Sequence, residues 1–326
     1  VSADFREHAM STFVEPILRE HDPTQFELFC YSSTGKLDEV TRRIQDAGPV
    51  WRDIRWLNDE KAADMVRQDQ IDILVDLSGH TLGNRLGMFA LKPAPVQMTF
   101  LSCPGSTGMQ AMDYKITDAI VDPPGVTDSQ CAERLLRLPR SQWSYRPDAR
   151  MPEVSPAPMS RNGYVTLGSL NSMARLTPRV IEVWSGVMRA LPDSHLIMAA
   201  VPFGEARAHI SEEFARHGIQ SDRLSYLPPM RLEDYWAAHA NIDIALDSFP
   251  YNGGTTTCIA LWMGVPVVTM SGDLVGSRCG ASILTEAGLD TLIARDEAQF
   301  ISIVVGLAEE RARLSQLRAN LRQRLL

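Results

Sequence analysis

The stretch from Ile242 to Met270 restricts the fold more than any other part of the chain. Ile242-Asp243-Ile244-Ala245-Leu246 is a short apolar run that stops at Asp247, the pattern of a buried strand. Cys258-Ile259-Ala260-Leu261-Trp262-Met263 has helical composition and closes on Gly264. Val265-Pro266-Val267-Val268-Thr269-Met270 then reads as the next strand. Between the first strand and the helix lies Asn252-Gly253-Gly254-Thr255-Thr256-Thr257. The glycine pair lets the backbone turn tightly and approach a ligand. The threonines bring hydroxyls to a helix start, where N–H groups are unpaired and the dipole is positive. Such a strand–loop–helix fits a phosphate cradle. It also fits a plain tight turn with a threonine N-cap, and it has neither the Lys of a P-loop nor GxGxxG spacing.

The same alternation runs through the chain. Ala9 to Arg19 carries Phe13, Val14, Ile17 and Leu18 at helical spacing, and Leu37 to Ala47 and Lys61 to Gln68 also read as helices. Strands are expected at Phe26–Tyr31, Ile71–Leu77, Val96–Leu101 and Tyr114–Asp118. After Gly163, strands at Tyr164–Gly168, His195–Ala199 and Leu224–Leu227 alternate with helices at Pro178–Ala190, Glu205–His217 and Leu232–Ala240. The last part, from Ala298, is helical and charged. Strands alternating with helices imply a parallel α/β sheet with ligands at the carboxyl ends of the strands. Residues 144–162, with Pro147, Pro152, Pro156 and Pro158, break the pattern and read as a linker. The expected organisation is a Rossmann-like domain over 1–143, a linker over 144–162 and a second Rossmann-like domain over 163–326. A cleft between such halves is a preferred ligand site.

A chain of 326 residues with 44% hydrophobic and 22% charged residues can bury two cores of ordinary size. The net charge is −8 and no Lys/Arg block is present, which argues against a nucleic-acid partner. Cys30, Cys103, Cys131, Cys258 and Cys279 show no CxxC spacing, as suits a reducing cytoplasm rather than a disulfide or zinc framework. The histidines show no HExxH spacing, so no metal is expected. No apolar run reaches the ~18 residues of a membrane span. Val1–Phe5 reads as the tail of a strand and the final helix lacks a stop signal, so further segments are expected beyond both ends.

Several segments carry a resemblance. They are Ser2-Ala3-Asp4-Phe5-Arg6-Glu7-His8, Asp72-Ile73-Leu74-Val75-Asp76-Leu77-Ser78-Gly79-His80-Thr81, and Ala90-Leu91-Lys92-Pro93-Ala94-Pro95-Val96-Gln97. Pro104-Gly105-Ser106-Thr107-Gly108, Ile116-Thr117-Asp118, the Asp247–Met270 stretch and Gly276-Ser277-Arg278 follow in order. Together they resemble the catalytic region of the protein O-GlcNAc transferase family, SPINDLY-like proteins included. The resemblance implies a GT-B-like α/β fold, two Rossmann-like domains facing each other across a cleft. It implies inverting, metal-independent transfer of GlcNAc from UDP-GlcNAc to Ser/Thr hydroxyls, with no cofactor beyond the donor. The partners implied are a nucleotide-sugar, a protein or peptide acceptor, and a tetratricopeptide-repeat segment outside this chain. Alternatives are another donor (GDP-fucose or a UDP-hexose) on the same fold, or a non-catalytic nucleotide-sugar or partner-binding domain.

The resemblance also assigns residues. His8 is the expected base for the acceptor hydroxyl, a role that suits an imidazole titrating near neutrality. Arg175 stands where the animal enzymes have Lys, as a cation for the leaving diphosphate. Asn171, Ser172, Gly254, Thr255 and Thr256 are expected at the diphosphate. Met230, Tyr235 and Ile259 are expected at the nucleoside, Tyr235 aligning with a His that stacks on uracil. Ser102, Pro104, Tyr251 and Asn252 are expected at the sugar. Ile259 departs from an acidic residue common in relatives, and Ile259→Glu is expected to tighten nucleotide-sugar binding.

Overall fold

The computed structural model describes residues 1–101 and 104–325. They form two compact units, Val1–Arg146 and Pro147–Leu326. The first contains α1 (Ser11–Glu20), β1 (Phe29–Ser32), α2 (Glu39–Asp46), β2 (Val50–Asp53), α3 (Asp59–Gln68), β3 (Ile73–Asp76), α4 (Leu86–Ala90), β4 (Val96–Phe100), β5 (Tyr114–Asp118) and β6 (Arg134–Leu138). β1 pairs with β2, and β3-β4-β5-β6 form a second sheet in that order, all parallel. Val1 and Ser2 lie between the two sheets. Ser2 N–H donates to Tyr31 O at 3.1 Å, and Leu77 N–H donates to Val1 O at 3.0 Å.

Alternate side chains of β1 enter opposite cores. Tyr31 packs with Ile54, Val66, Met88 and Phe89, whereas Cys30 packs with Val14, Leu18, Ile44 and Phe100. Burial on both faces is what a parallel sheet between helices requires.

The second unit contains α5 (Met159–Asn162), β7 (Thr166–Ser169), α6 (Pro178–Ala190), β8 (His195–Met198), α7 (Glu205–Arg216), β9 (Leu224–Tyr226) and α8 (Leu232–Ala238). It continues with β10 (Ile244–Leu246), α9 (Thr255–Trp262), β11 (Val267–Met270), α10 (Cys279–Glu286), β12 (Ile293–Ala294), α11 (Glu297–Glu309) and α12 (Arg311–Arg324). Its sheet order is β12-β11-β10-β7-β8-β9, and every pairing is parallel. The first strand of the unit therefore sits beside the fourth. That is the switch point of a doubly wound sheet, where loops on adjacent strands lead to opposite sides and leave a crevice.

The proline-rich run is not a free tether. Ser144 Oγ donates to Phe13 O at 2.9 Å and Arg146 N–H donates to Thr12 O at 2.9 Å, so its start belongs to the first unit. The rest is fastened to the second unit. Arg318 on α12 donates from Nε to Ser155 O at 2.6 Å, and Arg322 donates from Nη2 to Pro152 O at 2.7 Å. Proline removes backbone donors, so arginines reaching its carbonyls supply the missing bonds.

Candidate active site

Two loops meet at the switch point of the second unit. One follows β7 and carries Asn171, Ser172 and Arg175; the other follows β10 and carries Asp247 to Gly254. Asn171 Nδ2 donates to Asp247 Oδ1 at 3.1 Å. Thr256 Oγ1 donates to Asn171 Oδ1 at 2.6 Å. Arg175 Nη1 donates to Asn252 O at 2.7 Å, and its guanidinium lies 4.3 Å from the centroid of the Tyr251 ring. Strand order thus joins residues more than seventy positions apart into one rim.

The helix α9 starts without a side-chain cap, and its N-cap is Gly254 rather than a threonine. Cys258 N–H is the first to find a carbonyl, that of Gly254. The amides of Thr255, Thr256 and Thr257 have no partner among the described residues, as a helix start leaves them. Gly253 is required by space. A Cβ there would overlap Thr256 Oγ1 and come 2.6 Å from Thr257 Oγ1. Free amides, a helix dipole and an arginine on the rim make a receptor for an anion.

Asp247 is the buried group beneath this rim, 2% exposed. Burial pushes its carboxyl up to about 6, even though Thr269, the Gly253 N–H, Asn171 and the charge of Arg175 all favour the ionised form. Sequence reasoning read Asp247 only as the end of a strand. The available signal was an acidic residue placed directly after an apolar run and before a glycine loop.

Other expected donor contacts fall into place unevenly. Ser172 is exposed beside Asn171, while Gly254, Thr255 and Thr256 are half-buried. The Tyr235 hydroxyl donates to Leu170 O at 3.4 Å, next to Asn171, and burial raises its pKa. Met230 is half-buried just ahead of α8. Tyr251 is exposed on the rim. Two expected contacts are buried. Asn252 is 1% exposed, and its Nδ2 donates inward to Ser248 O at 2.9 Å and to Met270 O at 3.3 Å. Its side-chain nitrogen holds the loop. Ile259 is 6% exposed on α9, so it offers almost no surface to a ribose. A glutamate there would be buried among apolar groups, and that cost opposes the expected gain in affinity.

The first unit holds the remaining expected residues. His8 precedes α1, with its side chain 41% exposed. Met10 N–H donates to its Nδ1 at 3.2 Å, and Asp4 Oδ2 stands 3.6 Å from the same nitrogen. The Met10 bond places the neutral ring's proton on Nε2, whereas a bond to Asp4 would place it on Nδ1 and free Nε2 as a base. Burial lowers the His8 pKa; Asp4 opposes that shift and Arg6 adds to it. The imidazole is therefore mostly neutral at pH 7.

Pro104 is half-buried, and Lys115 Nζ donates to its carbonyl at 2.7 Å. Lys115 also pairs with Asp122 at 2.9 Å, both side chains almost fully buried. Glu133 accepts from Ser106 Oγ and from the Thr107 N–H, each at 2.7 Å. The loop after Pro104 is thereby held from β5 and from the residue just before β6. Ser102, its other expected sugar contact, lies outside the described residues. No group of three His, Cys, Asp or Glu side chains suited to a metal exists among the described residues. No helix among them is long and apolar enough to cross a membrane.

Comparison with known proteins follows the same outline. A SPINDLY protein of Petunia hybrida, named "Probable UDP-N-acetylglucosamine--peptide N-acetylglucosaminyltransferase", is 41% identical over 330 residues, 99% of this chain and 35% of its own length. The SEC protein of Arabidopsis thaliana, named in the same way, is 27% identical over 335 residues, 99% of this chain and 34% of its own length. The chain thus spans about a third of the length of the curated relatives it matches. Among solved structures, a mutant O-GlcNAc transferase of Thermobaculum terrenum is 38% identical with a TM-score of 0.95, covering 99% of this chain and 62% of that one. Anabaena HepE, solved with UDP and glucose, shares the fold at a TM-score of 0.58 and 12% identity, over 97% of this chain and 89% of its own. The α/β fold is accordingly of the GT-B kind. The sequence profile of Glycosyl transferase family 41 matches residues 1–145 and 161–325, and the chain belongs to that family.

Proposed function

We propose that this chain is the catalytic region of a glycosyltransferase that moves GlcNAc from UDP-GlcNAc to Ser/Thr hydroxyls of proteins, with inversion and without a metal. The observation that carries the proposal is the cradle at the switch point: uncapped α9 amides, Gly253 and the Arg175 guanidinium, in a member of Glycosyl transferase family 41. In this reading the amides and Arg175 hold the diphosphate and stabilise the charge that builds on it as the glycosidic bond breaks. His8 takes the acceptor proton, the acceptor oxygen attacks the anomeric carbon from the opposite face, and the nucleoside diphosphate leaves. Tyr235, beside the cradle, offers a ring to the base. The relatives' printed names supply the donor and the peptide acceptor as the reading for this chain.

A second reading keeps the chemistry and changes the donor to a GDP-sugar or another UDP-sugar. The departure at Ile259 from the acidic residue common in relatives prompts it. The test is turnover of a nucleotide-sugar panel with a peptide library, read by mass spectrometry of the peptides and by release of nucleoside diphosphate. Transfer of GlcNAc from UDP-GlcNAc supports the first reading, and transfer only from another donor supports the second. Binding of UDP-GlcNAc without hydrolysis or transfer would make the chain a nucleotide-sugar-binding domain.

A further inference from the structure

The cradle is held from beneath by one carboxylate. Asp247 Oδ1 accepts from the Gly253 N–H at 2.7 Å, the Ser248 N–H at 2.9 Å and Asn171 Nδ2 at 3.1 Å. Its Oδ2 accepts from Thr269 Oγ1 at 2.7 Å. Space on the Gly280 side of the group is filled. A Cβ on Gly280 would come 2.7 Å from Asp247 Oδ2 and overlap Thr269 Oγ1.

These bonds fix more than the loop. With Nδ2 on Asp247, the Asn171 amide presents its oxygen to Thr256, which donates its hydroxyl proton there at 2.6 Å. A hydroxyl has one proton. Thr256 is therefore left with lone pairs, which repel an anion. Thr255 makes no side-chain hydrogen bond to another described residue, so its proton is available for a ligand.

We propose that Asp247 is a positioning residue of the donor site, acting through Asn171 and Gly253. It follows that Thr255, not Thr256, supplies the threonine hydroxyl that donates to the diphosphate. The proposal rests on the diphosphate reading given above.

The test is calorimetric titration of the whole chain with UDP, and with GDP in parallel, on variants first checked for folding by circular dichroism. Asp247→Ala is expected to weaken binding about tenfold or more, the effect of releasing buried donors. Asn171→Ala should weaken it to a similar extent. The double variant should be no worse than the worse single one, because both act along one path. Asp247→Asn should recover most of the affinity: its oxygen keeps the three donors, and its amide can donate to Thr269. A protein harmed only by loss of fold would show neither that recovery nor that coupling. Thr255→Val should cost more affinity than Thr256→Val. The proposal is overturned if folded Asp247→Ala binds like the native chain, if the two losses add, or if Asp247→Asn is as weak as Asp247→Ala. Should Asp247→Ala fail to fold, the threonine pair decides, and a larger loss in Thr256→Val overturns it. Failure of the native chain to bind either nucleotide removes the diphosphate reading itself, before any variant is compared.

Discussion

The cradle of the second unit and the His8 loop of the first are held in opposite ways. The cradle rests on a carboxylate with four hydrogen bonds, one of them passed on through Asn171 to Thr256. His8 is half-exposed and has two neighbours competing for a single nitrogen. The contrast matches two kinds of task. A diphosphate has a fixed shape and charge, and donors already in place bind it without reorganising. An imidazole that moves a proton needs access to both its acidic and basic forms and contact with a substrate that comes and goes. On the proposed reading, rigid donors and an adjustable base are different solutions, and substitutions should separate them.

The largest expected effect is on His8. His8→Ala should lower turnover by about 10²–10⁴-fold, the usual span for a lost general base. UDP affinity should stay within a factor of about two, since the proposed reading gives the diphosphate to α9 and Arg175. Because burial lowers the His8 pKa, the acid limb of the native kcat/KM profile should lie below pH 6.5 and vanish in the variant. Asp4→Asn, which weakens the pull of Asp4 on Nδ1, should reduce turnover less than His8→Ala does. Stopped turnover with weakened UDP binding would mean that the loop is structural.

Asp247 offers the next contrast, in stability rather than rate. A carboxyl raised to about 6 is protonated more readily in the folded protein than in the unfolded chain. Its contribution is therefore most favourable below about pH 4 and is lost as pH rises through 6. The gap of about two units bounds the loss at about 3 kcal/mol, roughly a hundredfold in the folding constant. Asp247→Asn cannot ionise, so its unfolding free energy should gain on that of the native chain between pH 5 and pH 8. Denaturant titrations at both pH values measure this. Parallel curves would mean that Asp247 keeps an ordinary pKa.

Much of this contrast could be read from the sequence, but not its wiring. Periodicity located most strands and helices, α6 and β5 with the same ends as observed. It missed β2, where only Val50 and Trp51 precede Arg52-Asp53, and β6, where Arg134 and Arg137 interrupt three leucines. It read the last part only as helical, where Glu310 separates α11 from α12. Motif reading reached Gly254, Thr255 and Thr256, which lie in a local pattern, and the family resemblance supplied Asn171 and Arg175. It could not see that β7 lies against β10, and that pairing alone brings Asn171 to Asp247. Burial was equally hidden. Asn252 and Ile259 sit in the right segments, yet their side chains turn inward.

Gly253→Ala should act on the cradle alone. The new Cβ would displace the Thr256 hydroxyl from Asn171 and crowd Thr257. Overpacking of this kind costs about 1–3 kcal/mol of folding stability, and UDP affinity should fall as the cradle loses its shape. The His8-dependent pH profile should keep its shape. Unchanged affinity would show that the threonines rotate away freely, and that the cradle is looser than its bonds suggest.

Arg175→Lys should have the smallest effect and is the most selective test of how the rim works. Lysine keeps the positive charge, so attraction to a diphosphate persists. It cannot keep the flat guanidinium over Tyr251 while also donating to Asn252 O, which Arg175 does at 4.3 Å and 2.7 Å. Stacking of this sort is worth about 0.5–1 kcal/mol at an exposed site, so UDP affinity should drop roughly twofold to fivefold. Tyr251→Leu should cost about the same, and the two substitutions together should cost little more than either one, because each removes the same contact. Additive losses would mean that Tyr251 meets the ligand independently of Arg175. The rim would then be as adjustable as the His8 loop, and only the ground beneath it, from Asp247 to Thr256, would be rigid.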